Sequence, residues 1–122
     1  MINIEKTREY YSHLTNDDLC QCDYCKNYSK EIRAAYPAVA EYLEKFGVEI
    51  EKPFETMPLE PNDKGIIEYI CAQYIVKGSC KDFQPYRVGD VRIDIAMVHP
   101  SSNISDDHFI LEIFPVILKW TI

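Results

Sequence analysis

From Asp23 to Gly47 the chain reads DYCKNYSKEIRAAYPAVAEYLEKFG. Cys25, Tyr28, Ile32, Ala35, Val39, Leu43 and Phe46 advance in steps of three or four, the stripe of an amphipathic helix. Lys26, Lys30, Arg33, Glu41 and Glu44 fall mostly off that stripe. Pro37 interrupts it, because its ring removes a backbone donor and pushes Tyr36 out of the α region. The pattern predicts two consecutive helices, or one kinked helix, with Pro37 in the first turn of the second segment. Gly47 is the natural stop, since glycine accepts the left-handed conformation that closes helices.

Upstream, Ile4, Thr7, Tyr11 and Leu14 have helical spacing and predict a short first helix, followed by a turn at Thr15-Asn16-Asp17-Asp18. Downstream, residues 51–65 contain Pro53, Pro58 and Pro61 without a steady period and read as a crossover out of the helical half, residues 1–50. Residues 66–122 then alternate. Ile67 to Val76 is apolar on both faces, as in a central strand; Val91, Ile93, Ile95 and Met97 face one way; Phe109, Leu111 and Ile113 form a third strand. Pro115 marks a bulge or edge before Val116 to Trp120. The connections, Gly78 to Gly89 and His99 to Asp107, hold turn residues and no helical period. The expectation is one α+β domain over residues 1–122, its N-terminal helices packed on a C-terminal antiparallel sheet of three to four strands in meander order.

With 122 residues the chain is long enough to bury a core without disulfide or metal. Thirteen basic against 20 acidic side chains give a net charge of −7, which disfavours binding nucleic acid through phosphates. No apolar run is long enough for a bilayer, and the charged start, Met1 to Glu9, lacks the apolar core of a signal peptide. The reading is cytoplasmic, with no membrane partner. Five cysteines, an odd number in a reducing compartment, do not suit a disulfide framework.

Three of those five stand within six positions, at Cys20, Cys22 and Cys25, where a turn enters the helix. A turn leading into a helix lets such side chains converge, and thiolates gain stability near a helix N-terminus. Zinc would need a fourth ligand; His13 is the nearest in sequence, and Cys71 or Cys80 are the alternatives through the fold. Two other readings compete. Cys25 lies on the apolar stripe, and buried, reduced thiols are the plainer reading, which stands ahead of metal. A thiol redox pair is the third, although the motif precedes every predicted strand, unlike a thioredoxin-like site.

The run Cys20-Gln21-Cys22-Asp23-Tyr24-Cys25-Lys26-Asn27-Tyr28, with Ile32, a proline and the close Leu43…Phe46-Gly47-Val48-Glu49-Ile50, resembles a group of small bacterial proteins with a C-x-C-x-x-C-[RK]-N-aromatic opening. The resemblance covers roughly residues 18 to 53. It implies a bacterial source and a shared helical scaffold, and no activity comes with it.

Glu68, Asp94 and Glu112, one on each predicted strand, are candidates for an acid–base pair with His99 or His108, against the plainer reading of a solvated sheet face on which Arg92 pairs with them. His99 and His108 bracket a Ser- and Asp-rich loop without a nucleophile elbow. The four glycines form no phosphate cradle, so nucleotide cofactors are not expected. Tyr10, Tyr11, Tyr24, Tyr28, Tyr36 and Tyr42 crowd the helical half and mark it as a surface for a protein partner or self-association. The sequence thus points to a small binding or interaction domain with a cysteine cluster suited to structural zinc; the alternatives are a small enzyme using the strand carboxylates, or a thiol redox protein.

Overall fold

The computed structural model describes residues 1–122. Three helices, α1 (Ile4–His13), α2 (Asp23–Ala35) and α3 (Pro37–Glu44), precede six strands: β1 (Glu55–Pro58), β2 (Ile66–Lys77), β3 (Tyr86–Val88), β4 (Val91–Ile95), β5 (His108–Phe114) and β6 (Val116–Lys119). A single 3-10 turn, Asn16–Asp18, joins α1 to the approach of α2. The α+β arrangement of helices on an antiparallel sheet holds, and the split falls at Pro37, which opens α3.

Each helix boundary has a local cause. Asn3 caps α1, its side chain accepting from the Lys6 N–H at 3.0 Å. Cys22 caps α2 in the role usually given to an oxygen, its sulfur accepting from the Cys25 N–H at 3.5 Å. After α3 the chain closes through Val48 N–H to Leu43 O at 3.1 Å, with Gly47 at φ +87°. A side chain at Gly47 would meet Ile4 O at 2.7 Å and Arg8 N at 2.8 Å, so this turn is also where α1 passes close by.

The sheet has more strands than three or four, and its order is not a meander. Neighbours run β1-β2-β5-β4-β3, all antiparallel, with β6 also on β2. Strands β3, β4 and β5 follow one another, and β2 returns beside β5, a Greek-key order. β1 lies inside the proline-rich 51–65 segment, and β3 inside the Gly78–Gly89 connection; both are short edge strands. The β3–β4 hairpin turns on Gly89 (φ +59°) and Asp90, the glycine-first two-residue loop that matches strand twist.

β5 and β6 share one register along β2: Ala72 faces Ile113 and, past the break, Tyr69 faces Val116. Pro115 has no N–H for the ladder, so pairing is interrupted there. Both strands change parity at the interruption. Ile67, Tyr69, Val116 and Leu118 on one side, and Ala72, Tyr74, Val76, Phe109, Leu111 and Ile113 on the other, all enter one hydrophobic cluster of 21 buried residues. A smaller cluster, Ile75, Ala96 and Ile110, covers the opposite face, where Phe54, Tyr10 and Ile104 close over it. That second cover explains why β2 reads as apolar on both faces.

The helices meet the sheet through tyrosines. Tyr74 donates to Ile50 O at 2.8 Å, so the Tyr28 hydroxyl donates to the Tyr74 oxygen; Tyr11 donates to Ile75 O at 2.7 Å. Asn27, fully buried on α2, donates to Lys119 O and accepts from the Thr121 N–H, both at 2.8 Å, and ties that helix to the end of β6.

Candidate metal centre

Cys20 and Cys22 belong to the turn before α2, and Cys25 to its first turn, so one short segment presents all three sulfurs. The three sulfur atoms lie within 4.8 Å of one another. Cys20 Sγ and Cys22 Sγ are 3.2 Å apart, and Cys25 Sγ is 3.8 Å from Thr56 Oγ1 on β1. Cys20 and Cys22 are exposed and Cys25 half-buried; all five cysteines are free thiols. The bland alternative of buried thiols therefore fits Cys71, which is 7% exposed in β2, but not the cluster.

The environments of the three differ. The Cys22 backbone N–H, followed by the Cys25 and Cys22 thiols, stabilises the Cys20 thiolate and holds its pKa below the ordinary thiol value. Desolvation raises the Cys25 pKa, and its hydrogen bonds to Cys20 and Cys22 act in the same direction. One sulfur is thus readied for a cation while another surrenders its proton only to a strong competitor for it.

Cys20 and Cys25 line a cavity of about 80 Å³ whose other walls include Tyr10, Leu14, Lys52, Phe54, Glu55, Thr56 and Ile75. The β1 pairing brings Phe54, Glu55 and Thr56 there, from a segment whose sequence carried no strand period. Lys52 is anchored in the wall, donating to Tyr11 O at 2.8 Å and Leu14 O at 3.4 Å, with Glu49 3.1 Å away. A shallower cleft outside it runs from Asn16 and Gln21 past the same two cysteines to Glu51.

The other candidates are spread out. His13 ends α1 with Nδ1 2.8 Å from Glu9 O, and lines a separate cleft with Lys6, Glu9 and Lys77. Cys71 and Cys80 do not join the sulfur group. Asp94 and Glu112 are direct cross-strand neighbours, in register with Gln73 on β2, while Glu68 faces Ile117 at the far end of that strand. Arg92 approaches Asp94 on its own strand at 4.0 Å rather than a carboxylate across the sheet. His99 is exposed and turned onto Pro100 O at 2.8 Å. His108 has Nδ1 2.8 Å from Asp106 O and Nε2 2.7 Å from Ser102 Oγ. The carbonyl can only accept, so Nδ1 carries a proton, and the hydrogen bond between Nε2 and Ser102 latches the loop to β5. The strand carboxylates and these histidines form no convergent group of three; only the thiols do.

Of the six tyrosines in the helical half, Tyr11 and Tyr28 are consumed by the core, at 1% and 0% exposure. Tyr10, Tyr24, Tyr36 and Tyr42 are half-buried, and Tyr42 stacks on Tyr86 with ring centres 4.5 Å apart. No helix is long and apolar enough to cross a membrane. No family model, curated protein or solved structure matches the chain, so the resemblance of residues 18 to 53 to small bacterial proteins rests on its motif alone.

Proposed function

We propose that this is a small metal-binding interaction domain in which Cys20, Cys22 and Cys25 hold zinc. The observation that carries the reading is the mutual approach of three sulfurs to within 4.8 Å on the surface of one turn. Soft thiolates select zinc, copper(I) or iron–sulfur clusters among biological metals. Zinc accepts the irregular, one-sided site that a turn and a helix start provide, having no geometric preference from d-electrons. His13, the fourth ligand anticipated from sequence, is engaged with Glu9 O and outside the sulfur group, so the fourth position falls to water or another group. Free thiols in this number also favour a reducing, cytoplasmic setting. The half-buried Tyr10, Tyr24, Tyr36 and Tyr42 are the proposed contact residues for a protein partner or a second copy, since amphipathic rings keep one side available.

Elemental analysis of protein purified without added metal tests the reading. About one equivalent of zinc, lost in Cys22→Ser and kept in His13→Ala if water or another group completes the site, is the expected result. Much less than one equivalent in the wild type removes the proposal.

A further inference from the structure

We infer that the three-sulfur centre is of the open kind, and that its fourth coordination position takes a small exogenous thiol seated in the adjoining cavity. This deepens the metal reading above and rests on it. Three protein ligands with an outside fourth is the arrangement of zinc sites that bind or transform something, whereas structural sites close with four. Here the convergent group comprises three sulfurs and no other cysteine, histidine or carboxylate. Two of the three, Cys20 and Cys25, are wall residues of the 80 Å³ cavity, so an ion they hold adjoins it. A water needs only about 10 to 15 Å³ of such volume, so the cavity has room for several heavy atoms.

Softness selects the ligand. Three thiolates leave zinc a weak acid towards bound water, and a site built of soft donors takes a soft fourth donor in spite of its negative charge. A thiol completes the four-sulfur set, its S–H bond breaking as the S–metal bond forms and the proton leaving to bulk water. The walls are mixed: Tyr10, Leu14, Phe54 and Ile75 offer apolar contact, and Asp18, Lys52 and Glu55 are the charged members, so a short thiol with a polar end fits. Thr56, whose hydroxyl oxygen stands 3.8 Å from Cys25 Sγ, marks the point where metal and ligand would share space.

Cobalt(II) in place of zinc gives the readout, because its sulfur-to-metal charge-transfer band counts thiolate ligands. Titration of the cobalt protein with 2-mercaptoethanol should raise that band by about one third, from three thiolates to four, and saturate. In Phe54→Trp, which fills the cavity from a wall residue outside the sulfur group, cobalt should bind at the same stoichiometry and the thiol response should disappear; Leu14→Trp serves the same purpose if that variant does not fold. A wild-type spectrum indifferent to thiol overturns the inference and leaves the metal reading standing. So does a thiol that strips the cobalt, or a response unchanged in both filled variants. Failure to bind cobalt at all overturns both readings together.

Discussion

Tyr11, Tyr28, Tyr69 and Tyr74 are wholly inside the protein, and each hydroxyl bonds a group at least 24 positions away, whereas the thiols of Cys20, Cys22 and Cys25 lean mainly on one another. The difference is one of completion. A buried polar atom left unpaired costs about 1–3 kcal/mol, so the tyrosine seam has to close within the protein. Cys20 and Cys22 are exposed and face no such penalty, and the contacts of the cluster are local: the Cys22 cap on the Cys25 N–H and the sulfurs on one another. Sulfurs brought this close gain most when a cation replaces their protons. The seam makes the fold; the thiol turn is held out from it on the start of α2.

The largest break in that contrast should come from the seam. Tyr74→Ala removes a large ring and two hydrogen-bond links at once, and should cost about 3–5 kcal/mol in urea unfolding. Tyr74→Phe keeps the ring but orphans Ile50 O and the Tyr28 hydroxyl, for about 1–3 kcal/mol. If the Phe variant is as stable as the wild type, the hydroxyl chain is not what joins α2 to β2. Metal dependence follows in size. Zinc at a hundredfold excess over its dissociation constant should add about 2.7 kcal/mol, seen as a fall in Tm on adding a chelator. Cys22→Ser should abolish that response while changing the metal-free protein little, since serine is itself a preferred N-cap and keeps the cap that Cys22 gives α2. A metal-free Tm equal to the zinc-loaded one would remove the coupling of this turn to an ion.

Reactivity sharpens the comparison within the cluster itself. Cys20 is exposed and its thiolate is stabilised by the Cys22 N–H, while burial holds the Cys25 proton on. In metal-free protein, iodoacetamide should modify Cys20 faster than Cys25 by roughly an order of magnitude or more. The Cys20 rate should climb with pH to a midpoint below that of an ordinary cysteine, since its shift is downward. Mass-spectrometric mapping of the alkylated peptides decides this; equal labelling of the two would mean the turn does not distinguish them.

How far the sequence discloses these regions follows from the range of the forces involved. The apolar stripe from Cys25 to Phe46, the break at Pro37 and the close at Gly47 are local, so helix α2, helix α3 and the thiol turn are legible directly. β1 and β3 are not. At four and three residues they are too short to show a period, and pairing partners far along the chain make them strands. The order β1-β2-β5-β4-β3 is likewise a property of loop closure and packing, to which alternation is blind. The same holds for the cavity: the cysteines announce themselves, but Phe54, Glu55 and Thr56 reach them only through β1. Residue type alone does not divide the helical tyrosines into seam and surface, but the apolar stripes do, since they carry Tyr11 and Tyr28 and leave the half-buried four aside. Tyr10 and Tyr11 are adjacent, yet one is half-buried and the other has its hydroxyl on Ile75 O.

Glu51 stands where the two regions touch, and gives the smallest effect. It lines the outer cleft with Cys20 and Cys25, and follows Ile50, whose carbonyl ends the tyrosine chain. Arg33 donates to it through Nε and, at 3.0 Å, through Nη2, while Nη1 reaches Glu44 at 2.6 Å. Hydrogen bonding from Arg33 lowers the Glu51 pKa, so the contribution is present above the unfolded carboxylate range and is lost as pH falls through the folded value. With the side chains 46% and 33% exposed, solvent screening limits the pair to about 0.2–1 kcal/mol. Glu51→Gln should therefore lower stability by that amount at pH 7, and the gap should narrow as pH is lowered towards pH 3 and through the folded value. Urea midpoints at the two pH values measure it. Because the substitution touches the clamp and not the sulfurs, zinc stoichiometry should be unchanged; a variant that loses its metal would show that the seam and the thiol turn are one cooperative unit.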